Sequence, residues 1–297
     1  MIDAMNAIGE AYPWFWPGMI FIYGICIGSF FNVVIYRIPA GKSVVYPGST
    51  CGCGERIKGY DNIPILSWCL LRGKARCCGK PFSVRYPLVE LLTGVLFVGI
   101  FLTHSVAASL ALWVFVGMML SAAFIDLDTM EIPDRFSVGG CIVGVIASVL
   151  VPSLHIEPTG MALFDGMRGC FSGITGALVG SGLILWVALI AELVLRKEAM
   201  GFGDVKLMGA IGAFCGWKGA IFALFGGACL GCIGIGVGYI LIYLFGKKET
   251  VSMGTKSEDG GLHIPFGPSL VAGALVYLIF AQEWVDAYFN SVIDVLY

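Results

Sequence analysis

Long apolar stretches, separated by short polar ones, run through most of the chain. Their length matches that of helices that cross a lipid bilayer, which need roughly 17–25 apolar residues. Such stretches lie at 14–36, 87–103, 106–125, 137–153, 169–195, 219–245 and 264–282. A shorter one, 205–217, predicts a short or partly immersed helix. The pattern therefore predicts an all-α polytopic membrane protein with about eight transmembrane helices.

One polar stretch is much longer than the others. Residues 37–86 follow the first apolar stretch and include five of the 11 cysteines in the chain. The pattern divides the chain into an N-terminal segment with the first transmembrane helix (1–36), a cysteine-containing cytoplasmic loop domain (37–86) and a transmembrane domain (87–297).

The composition agrees with this class. Apolar residues make up 58% of the chain and charged residues only 13%, whereas soluble domains carry about 25% charged residues. No basic tract indicates a nucleic-acid partner, so the expected surroundings are membrane lipids. No Lys or Arg precedes the first apolar stretch, and a cleaved secretory signal is therefore not predicted there.

Basic residues predict which loops face the cytoplasm, because Lys and Arg are concentrated on that side. With the N-terminus outside, the inner loops are 37–86, 126–136, 196–204 and 246–263. These loops and their immediate flanks hold all of the 18 basic residues except Arg168 and Lys218. We therefore expect the N-terminus outside and the cysteine loop in the cytoplasm.

Two groups of carboxylates lie at the ends of apolar stretches. The segment "GFGDVK" (201–206) places Asp204 after two glycines, and "IDLDTMEIPD" (125–134) begins its acidic residues with Asp126. Two predicted spans separate the two acids, and an even number of crossings returns the chain to the same side. We therefore expect both at the cytoplasmic edge of the membrane, where a carboxylate is costly unless it is paired, hydrated or used.

Two neighbouring carboxyls at low dielectric cannot both ionise easily, so their titrations separate. One then serves as a base toward water and the other as an acid toward the scissile amide, as in an aspartyl protease. This chemistry needs neither a metal nor a covalent intermediate. The chain has three histidines and neither an H-E-x-x-H nor a G-x-S-x-G motif, which disfavours a histidine zinc protease or a Ser/His triad.

Two other classes of protein remain as alternatives. A proton- or cation-coupled secondary transporter would use Asp126 and Asp204 as carriers at a midplane site between broken helices. A zinc-bearing membrane scaffold would have no catalytic role and would leave the two acids unexplained. The position of both acids beside predicted cytoplasmic loops favours the protease, because a transporter would place them in mid-membrane.

Four cysteines of the long loop form two close pairs, "CGC" and "CC". They are Cys51, Cys53, Cys77 and Cys78. A reducing compartment disfavours stable disulfides, and four thiolates on two short hairpins would form a closed structural zinc site. Free thiols are the alternative. The other seven cysteines lie in or near apolar stretches and are interpreted as small hydrophobic residues.

Together these motifs resemble the type IV prepilin peptidases, bacterial members of the GxGD-type membrane aspartyl proteases. The acidic motifs are joined, in the order of that family, by four further segments, "GSFFNVVIYRIP" (28–39), "DNIPILSW" (61–68), "SVRYPLVELLTG" (83–94) and "IPFGPSLVAG" (264–273). The resemblance covers nearly the whole chain. One departure concerns the cysteines, which in the family usually form two C-x-x-C pairs, whereas Ala75 stands here where a cysteine is expected.

The resemblance implies that Asp126 and Asp204 are the catalytic pair. Within the first acidic motif, the family pattern places the catalytic acid directly after the isoleucine, which selects Asp126. Asp128 is the alternative, and a helix would place it on a different face from Asp126.

Other residues of the motifs have supporting roles under this interpretation. Gly201 and Gly203 would let the backbone approach an extended substrate. Lys206 would orient a carboxylate or a lipid phosphate, or lie at the interface as a snorkelling lysine. Asp128 and Glu131 would add negative charge that attracts a basic leader.

The resemblance also implies a bifunctional enzyme of the bacterial inner membrane. Such enzymes cleave a short basic leader from prepilins or pseudopilins of type IV pili and type II secretion, at the cytoplasmic face. They then N-methylate the new terminal residue with S-adenosylmethionine. The loop 37–86 is the part that the resemblance associates with methyl transfer, and it contains no G-x-G-x-x-G nucleotide turn.

Overall fold

The computed structural model describes residues 10–196, 201–245, 255–256, 262–263 and 265–296. Most of the predicted inner loop 246–263 lies outside these residues. The chain forms two compact units, Met1–Ser121 and Ala122–Tyr297.

The first unit contains two long helices and an intervening loop with little regular structure. Helix α1 (Phe15–Arg37) is followed by a 3-10 turn (Gly59–Asn62), a short helix α2 (Leu66–Leu70) and helix α3 (Arg85–Thr103). Helix α4 (Val106–Thr129) begins in this unit and ends in the second. The polar stretch 37–86 therefore lies between α1 and α3, as the sequence predicts.

The second unit is built mainly from helices. Its elements are α5 (Asp134–Leu150), a 3-10 turn (Pro152–Leu154), α6 (Ala162–Leu195), α7 (Phe202–Phe245), the antiparallel strands β1 (Thr255–Lys256) and β2 (Leu262–His263), α8 (Gly267–Val276), a π-helical turn (Tyr277–Ala281) and α9 (Gln282–Leu296). Helices α5, α6 and α8 all pack against α7.

The predicted fold class is confirmed, although the helix count differs from the expected one. Six helices among the described residues are long and apolar enough to cross a membrane. The expected number of about eight counted the 17-residue helix α5 and treated 205–217 and 219–245 as separate spans. In the structure these last two segments are merged in α7, which is kinked at Gly216.

The kink in α7 is supported by a half-buried histidine. Gly216 has a φ of 70°, a conformation that glycine adopts without a steric penalty. The His155 Nε2 atom lies 3.1 Å from the carbonyl oxygen of Ala213 and 2.8 Å from the Ser148 hydroxyl. Burial lowers the pKa of His155 to about 4, so the imidazole is neutral at neutral pH. It thus hydrogen-bonds polar groups beside the break without adding charge.

Glycines let the helices of each unit approach at backbone distance. In the first unit, a Cβ atom on Gly24 of α1 would lie 2.8 Å from the Cα of Gly94 in α3. In the second unit, a Cβ on Gly176 of α6 would collide with the carbonyl oxygen of Gly212 in α7. A Cβ on Gly212 would likewise collide with the carbonyl oxygen of Gly176. Small residues at helix interfaces in lipid allow such close packing of the backbones.

The α6–α7 contact predicts a specific pattern of stability. Replacing Gly176 or Gly212 by alanine should destabilise the protein by roughly 1–3 kcal/mol, because the added methyl group overpacks the interface. Gly182 lies on the same helix α6 but has no neighbouring atom within 4 Å of its would-be Cβ. Gly182→Ala is therefore the matched control and should be neutral or slightly stabilising. Thermal unfolding in detergent measures the difference, and equal melting temperatures for Gly176→Ala and Gly182→Ala would contradict the packing.

Candidate active site

The end of helix α4 presents the first of the two predicted acids. Asp126 lies one turn before the helix ends at Thr129, and the backbone N–H of Met130 donates to the Asp126 carbonyl oxygen over 2.9 Å. Met130 has a φ of 56°, which turns the chain sharply out of the helix. The Thr129 hydroxyl caps the same turn by donating to the carbonyl oxygen of Ile125 over 3.0 Å.

Asp126 is buried against the start of helix α8. Its exposed fraction is 5%, and its carboxylate accepts a hydrogen bond from the backbone N–H of Gly267. Its Oδ2 atom is buried and has no hydrogen-bond partner among the described residues. A Cβ atom on Gly267 would lie only 2.6 Å from that oxygen. Asp126 can therefore occupy this position only because residue 267 is a glycine, which has no side chain.

The second predicted acid, Asp204, lies at the start of helix α7. It is half-buried, and its backbone N–H donates to the carbonyl oxygen of Gly201 over 3.2 Å. Its carboxylate is close enough to that of Asp126 for the two charges to interact. The structure thus brings together two acids that are 78 positions apart in the sequence.

An isoleucine links the backbone elements around the two acids. The Ile132 side chain lies 3.4 Å from the would-be Cβ of Gly203 and 3.2 Å from that of Gly267. Ile132 therefore fills the space between the glycine that precedes Asp204 and the glycine that holds Asp126. A Cβ atom at Gly267 would crowd Ile132, whereas one at Gly203 would meet it at ordinary contact distance.

The remaining predicted site residues lie around this pair. Asp128 and Glu131 are exposed, and the burial of Asp126 confirms that it faces a different side of α4 from Asp128. Gly201 is exposed at the start of α7. Lys206 forms an ion pair with Asp134 at the start of α5, with the Nζ and Oδ1 atoms 2.7 Å apart. Its carboxylate partner is therefore Asp134.

The four loop cysteines form one cluster on two hairpin turns. Isolated antiparallel bridges pair Thr50 with Arg56 and Lys74 with Pro81, and each turn carries two of the cysteines. The sulfur atoms of Cys51, Cys53, Cys77 and Cys78 all lie within 4.8 Å of one another.

This geometry fits a tetrahedral zinc ion. The Sγ atoms of Cys51 and Cys78 are 3.5 Å apart, and those of Cys53 and Cys77 are 3.4 Å apart. Ligands of a tetrahedral Zn–S₄ site, with bonds of about 2.3 Å, are about 3.8 Å from one another. A hydrogen bond from the backbone N–H of Cys53 lowers the pKa of the Cys51 thiol to about 7, which favours the thiolate that binds metals. A hydrogen bond with the Cys53 thiol raises the pKa of Cys77, so a metal ion would have to displace a proton there.

Comparison with known proteins places this architecture in a family. Residues 22–104 match the model of the bacterial peptidase A24 N-terminal domain, and residues 113–236 match that of the type IV leader peptidase family. A prepilin leader peptidase/N-methyltransferase of Aeromonas hydrophila is 31% identical over 318 residues, which cover 96% of this chain and 97% of the relative. The chain belongs to the type IV leader peptidase family.

Two further relatives carry the same name. The protein of Klebsiella pneumoniae is 36% identical over 227 residues, which cover 73% of this chain and 92% of the relative. That of Myxococcus xanthus is 36% identical over 247 residues, which cover 82% of this chain and 68% of the relative. No solved structure matches the chain. The relatives offer no support for the transporter alternative.

The two family models match different segments of this chain, one with the cysteine cluster and the other with the two acids. The leader peptidase model spans Asp126 and Asp204, whereas the N-terminal model spans the cysteine cluster, most of helix α1 and helices α2 and α3. The first acid and the second acid therefore lie in the same matched segment, and the polar loop lies in the other.

Sequence reasoning missed Gly267 and Ile132 as parts of the candidate site. Gly267 lies in "IPFGPSLVAG", one of the segments that resemble the family, but the resemblance assigned no role to the glycine. A glycine directly before Pro268, at the start of an apolar stretch, was the available signal. Ile132 lies inside the acidic motif, and nothing in the sequence distinguishes this apolar residue as part of a site.

The contact between Gly267 and Asp126 generates a prediction. Gly267→Ala should reduce leader cleavage by at least about tenfold, because its methyl group would displace the Asp126 carboxylate and a small misplacement at a catalytic group is costly. Gly139→Ala is the control, since the nearest atom to its would-be Cβ is 3.8 Å away. The measurement is the rate of cleavage of a prepilin substrate by purified variants. Wild-type activity in Gly267→Ala would contradict the placement of Asp126.

Proposed function

We propose that this protein is a membrane aspartyl endopeptidase that removes the leader of type IV prepilins or pseudopilins and N-methylates the new N-terminal residue. The observation that carries the proposal is the meeting of Asp126 and Asp204 at neighbouring helix ends in one unit. Membership in the leader peptidase family supports the substrate class.

In the proposed reaction, the two carboxyl groups share one proton and activate water. The ionised carboxylate takes a proton from water while the oxygen attacks the scissile carbonyl carbon. The protonated carboxyl donates its proton to the substrate, and the C–N bond breaks to give a leader carboxylate and a free amine. Asp126 and Asp204 fill these two roles, and no metal or covalent intermediate is needed.

The surroundings of the pair suit a basic leader at the cytoplasmic face. We place the N-terminus of the protein outside and the two acids at the inner edge of a bacterial inner membrane, because basic residues are concentrated in the loops on that side. Asp128 and Glu131 are exposed near the end of α4, and their negative charge would attract a basic leader.

The glycines before Asp204 have room for substrate. A Cβ on Gly203 would meet Ile132 only at ordinary contact distance, and one on Gly201 would have no close neighbour except Gly203. Packing within the protein therefore does not require glycine at position 201. We infer that both glycines serve the close approach of an extended substrate backbone, while Lys206 supports the site through Asp134.

The second activity requires S-adenosylmethionine, which supplies an electrophilic methyl group to the free amine when it is bound. Several relatives are named as N-methyltransferases as well as peptidases. We assign 1–36 to the first helix, 37–86 to a cytoplasmic domain that supports methyl transfer, and 87–297 to the peptidase domain. The cysteine cluster would hold a structural zinc ion that fixes the two hairpins of the loop.

The acid pair is tested by isosteric amides. Asp126→Asn and Asp204→Asn should each lower the rate of leader cleavage by at least about 100-fold, because each removes a proton-transfer group worth roughly 10²–10⁴. Asp286→Asn is a matched control, since Asp286 lies on α9 and pairs with Lys218. The assay follows cleavage of a prepilin in detergent.

The outcomes separate catalysis from general damage. Normal cleavage by both amide variants would exclude the proposed mechanism, and a similar loss in Asp286→Asn would indicate instability. The same assay with a leader whose basic residues are replaced tests the role of local charge. Asp128→Asn combined with Glu131→Gln should slow cleavage of the basic leader more than that of the neutral one.

The zinc assignment is tested by metal analysis of the purified protein. We expect about one zinc ion per chain, as in closed four-cysteine sites, and its loss in Cys53→Ser combined with Cys77→Ser. Cys69→Ser is the control, because Cys69 is an exposed cysteine outside the cluster. Zinc retained at the same ratio in the double variant would overturn this assignment.

A further inference from the structure

The first unit contains a cavity whose lining includes neither of the two acids. It has a volume of about 380 Å³ and is lined by the end of α1, the polar loop and the start of α3. Small-molecule sites typically occupy about 300–1,000 Å³. All of its lining residues lie within the segment matched by the N-terminal family model.

Glu90 brings an acid into the wall of this cavity. It lies in the first half of α3, is 7% exposed, and accepts a hydrogen bond from the backbone N–H of Ile65 over 2.7 Å. The Ser29 hydroxyl also hydrogen-bonds to it. The ion pairs found among the described residues do not include Glu90. An ionisable residue within a membrane helix usually has a function or a charged partner.

The backbone beside Glu90 is strained. Ile65 has a φ of 59° and a ψ of −51° at the start of α2, a conformation that is an outlier for a β-branched residue. Such strain persists where the surroundings hold it, and it is common at ligand sites. Here the hydrogen bond to Glu90 holds the strained peptide, so the loop and the acid are fixed together.

The other walls of the cavity carry aromatic and polar residues together with the charged residues Arg37, Lys74 and Asp61. The Arg37 guanidinium is engaged by the carbonyl oxygens of Ser43 and Gly48. Trp68 and Tyr86 line it, and the Trp68 indole N–H donates to the carbonyl oxygen of Phe82 over 3.4 Å. Asn32 also lines it and is held by a bond from its Nδ2 atom to the carbonyl oxygen of Tyr86 over 3.0 Å. Aromatic faces suit a planar ring and a neighbouring cation.

We propose that this cavity binds S-adenosylmethionine and that Glu90 recognises the positive charge of its sulfonium group. The proposal rests on the N-methyltransferase part of the proposed function. A buried acid without a protein cation gains most from a cationic ligand, and S-adenosylmethionine is cationic at sulfur. The aromatic side chains provide surfaces for the adenine ring.

The role of Glu90 predicts a difference between two ligands. S-adenosylhomocysteine has the same adenosyl and amino-acid groups but a neutral thioether in place of the sulfonium. Glu90→Gln should therefore weaken binding of S-adenosylmethionine by about tenfold or more, as expected for a charge interaction worth about 1.4 kcal/mol. Binding of S-adenosylhomocysteine should change by less than about threefold, because that contact involves no ligand charge.

The experiment is equilibrium dialysis of both radiolabelled ligands against the full chain in detergent. Glu157→Gln is the matched control, because Glu157 is an exposed acid in the second unit. Melting temperature and size-exclusion profile report whether Glu90→Gln is folded. Photo-crosslinking of methyl-labelled S-adenosylmethionine to the wild-type protein, followed by peptide mapping, locates the site without any substitution.

Each result has a distinct meaning. Label in peptides from 29–90 and a selective loss of S-adenosylmethionine binding in Glu90→Gln would support the proposal. Label confined to 122–297, or equal losses for the two ligands, would overturn it. If S-adenosylmethionine binds in the cavity but a cleaved prepilin is not methylated, the proposed binding site stands and the methyltransferase part of the proposed function is wrong. Absence of binding to the wild-type chain would overturn both, while leader cleavage still reports on the peptidase part.

Discussion

The contact between Gly267 and the Asp126 carboxylate is the constraint on which the second unit depends. An acid at this depth needs a hydrogen-bond donor, and the backbone N–H of Gly267 supplies one. A Cβ atom at position 267 would collide with the Asp126 Oδ2 atom, so the backbone N–H can approach the carboxylate only if residue 267 is a glycine. The start of α8 and the end of α4 are therefore held at a fixed separation, and Ile132 fills the space between them and the start of α7. The two acids owe their proximity to this packing.

Much of this arrangement was predictable from the sequence, because the number of membrane spans between two residues determines whether they lie on the same side of the membrane. Two spans between Asp126 and Asp204 return the chain to the same edge, and the structure does bring the two carboxylates together. The predicted boundary between 205–217 and 219–245 lies beside Gly216, although the two segments form one helix that is kinked there and not two separate spans. The four cysteines were expected on two short hairpins, and they cluster there despite the shortened spacing of each pair.

The contacts that complete the two sites were not predictable in the same way. Gly267 and Asp126 are far apart in sequence, and no periodicity links one glycine among 42 to a particular acid. Glu90 lies near the start of the predicted span 87–103, and no sequence pattern links it to Ile65. Its contact with Ile65 depends on a left-handed backbone conformation at a β-branched residue, which local propensity disfavours. Hydropathy determines which segments enter the membrane, but such contacts arise only when separate segments pack.

Glu90 and Asp126 are both buried acids that are stabilised by backbone N–H groups. Each accepts a backbone N–H from the start of a helix, Ile65 before α2 and Gly267 at the beginning of α8. Backbone N–H groups at helix starts lack partners within the helix and attract negative charge. They therefore stabilise each carboxylate without a Lys or Arg side chain. An acid neutralised by a protein cation would have little charge left to offer a substrate, whereas Glu90 and Asp126 form no ion pair among the described residues, and the Oδ2 atom of Asp126 accepts no hydrogen bond from them.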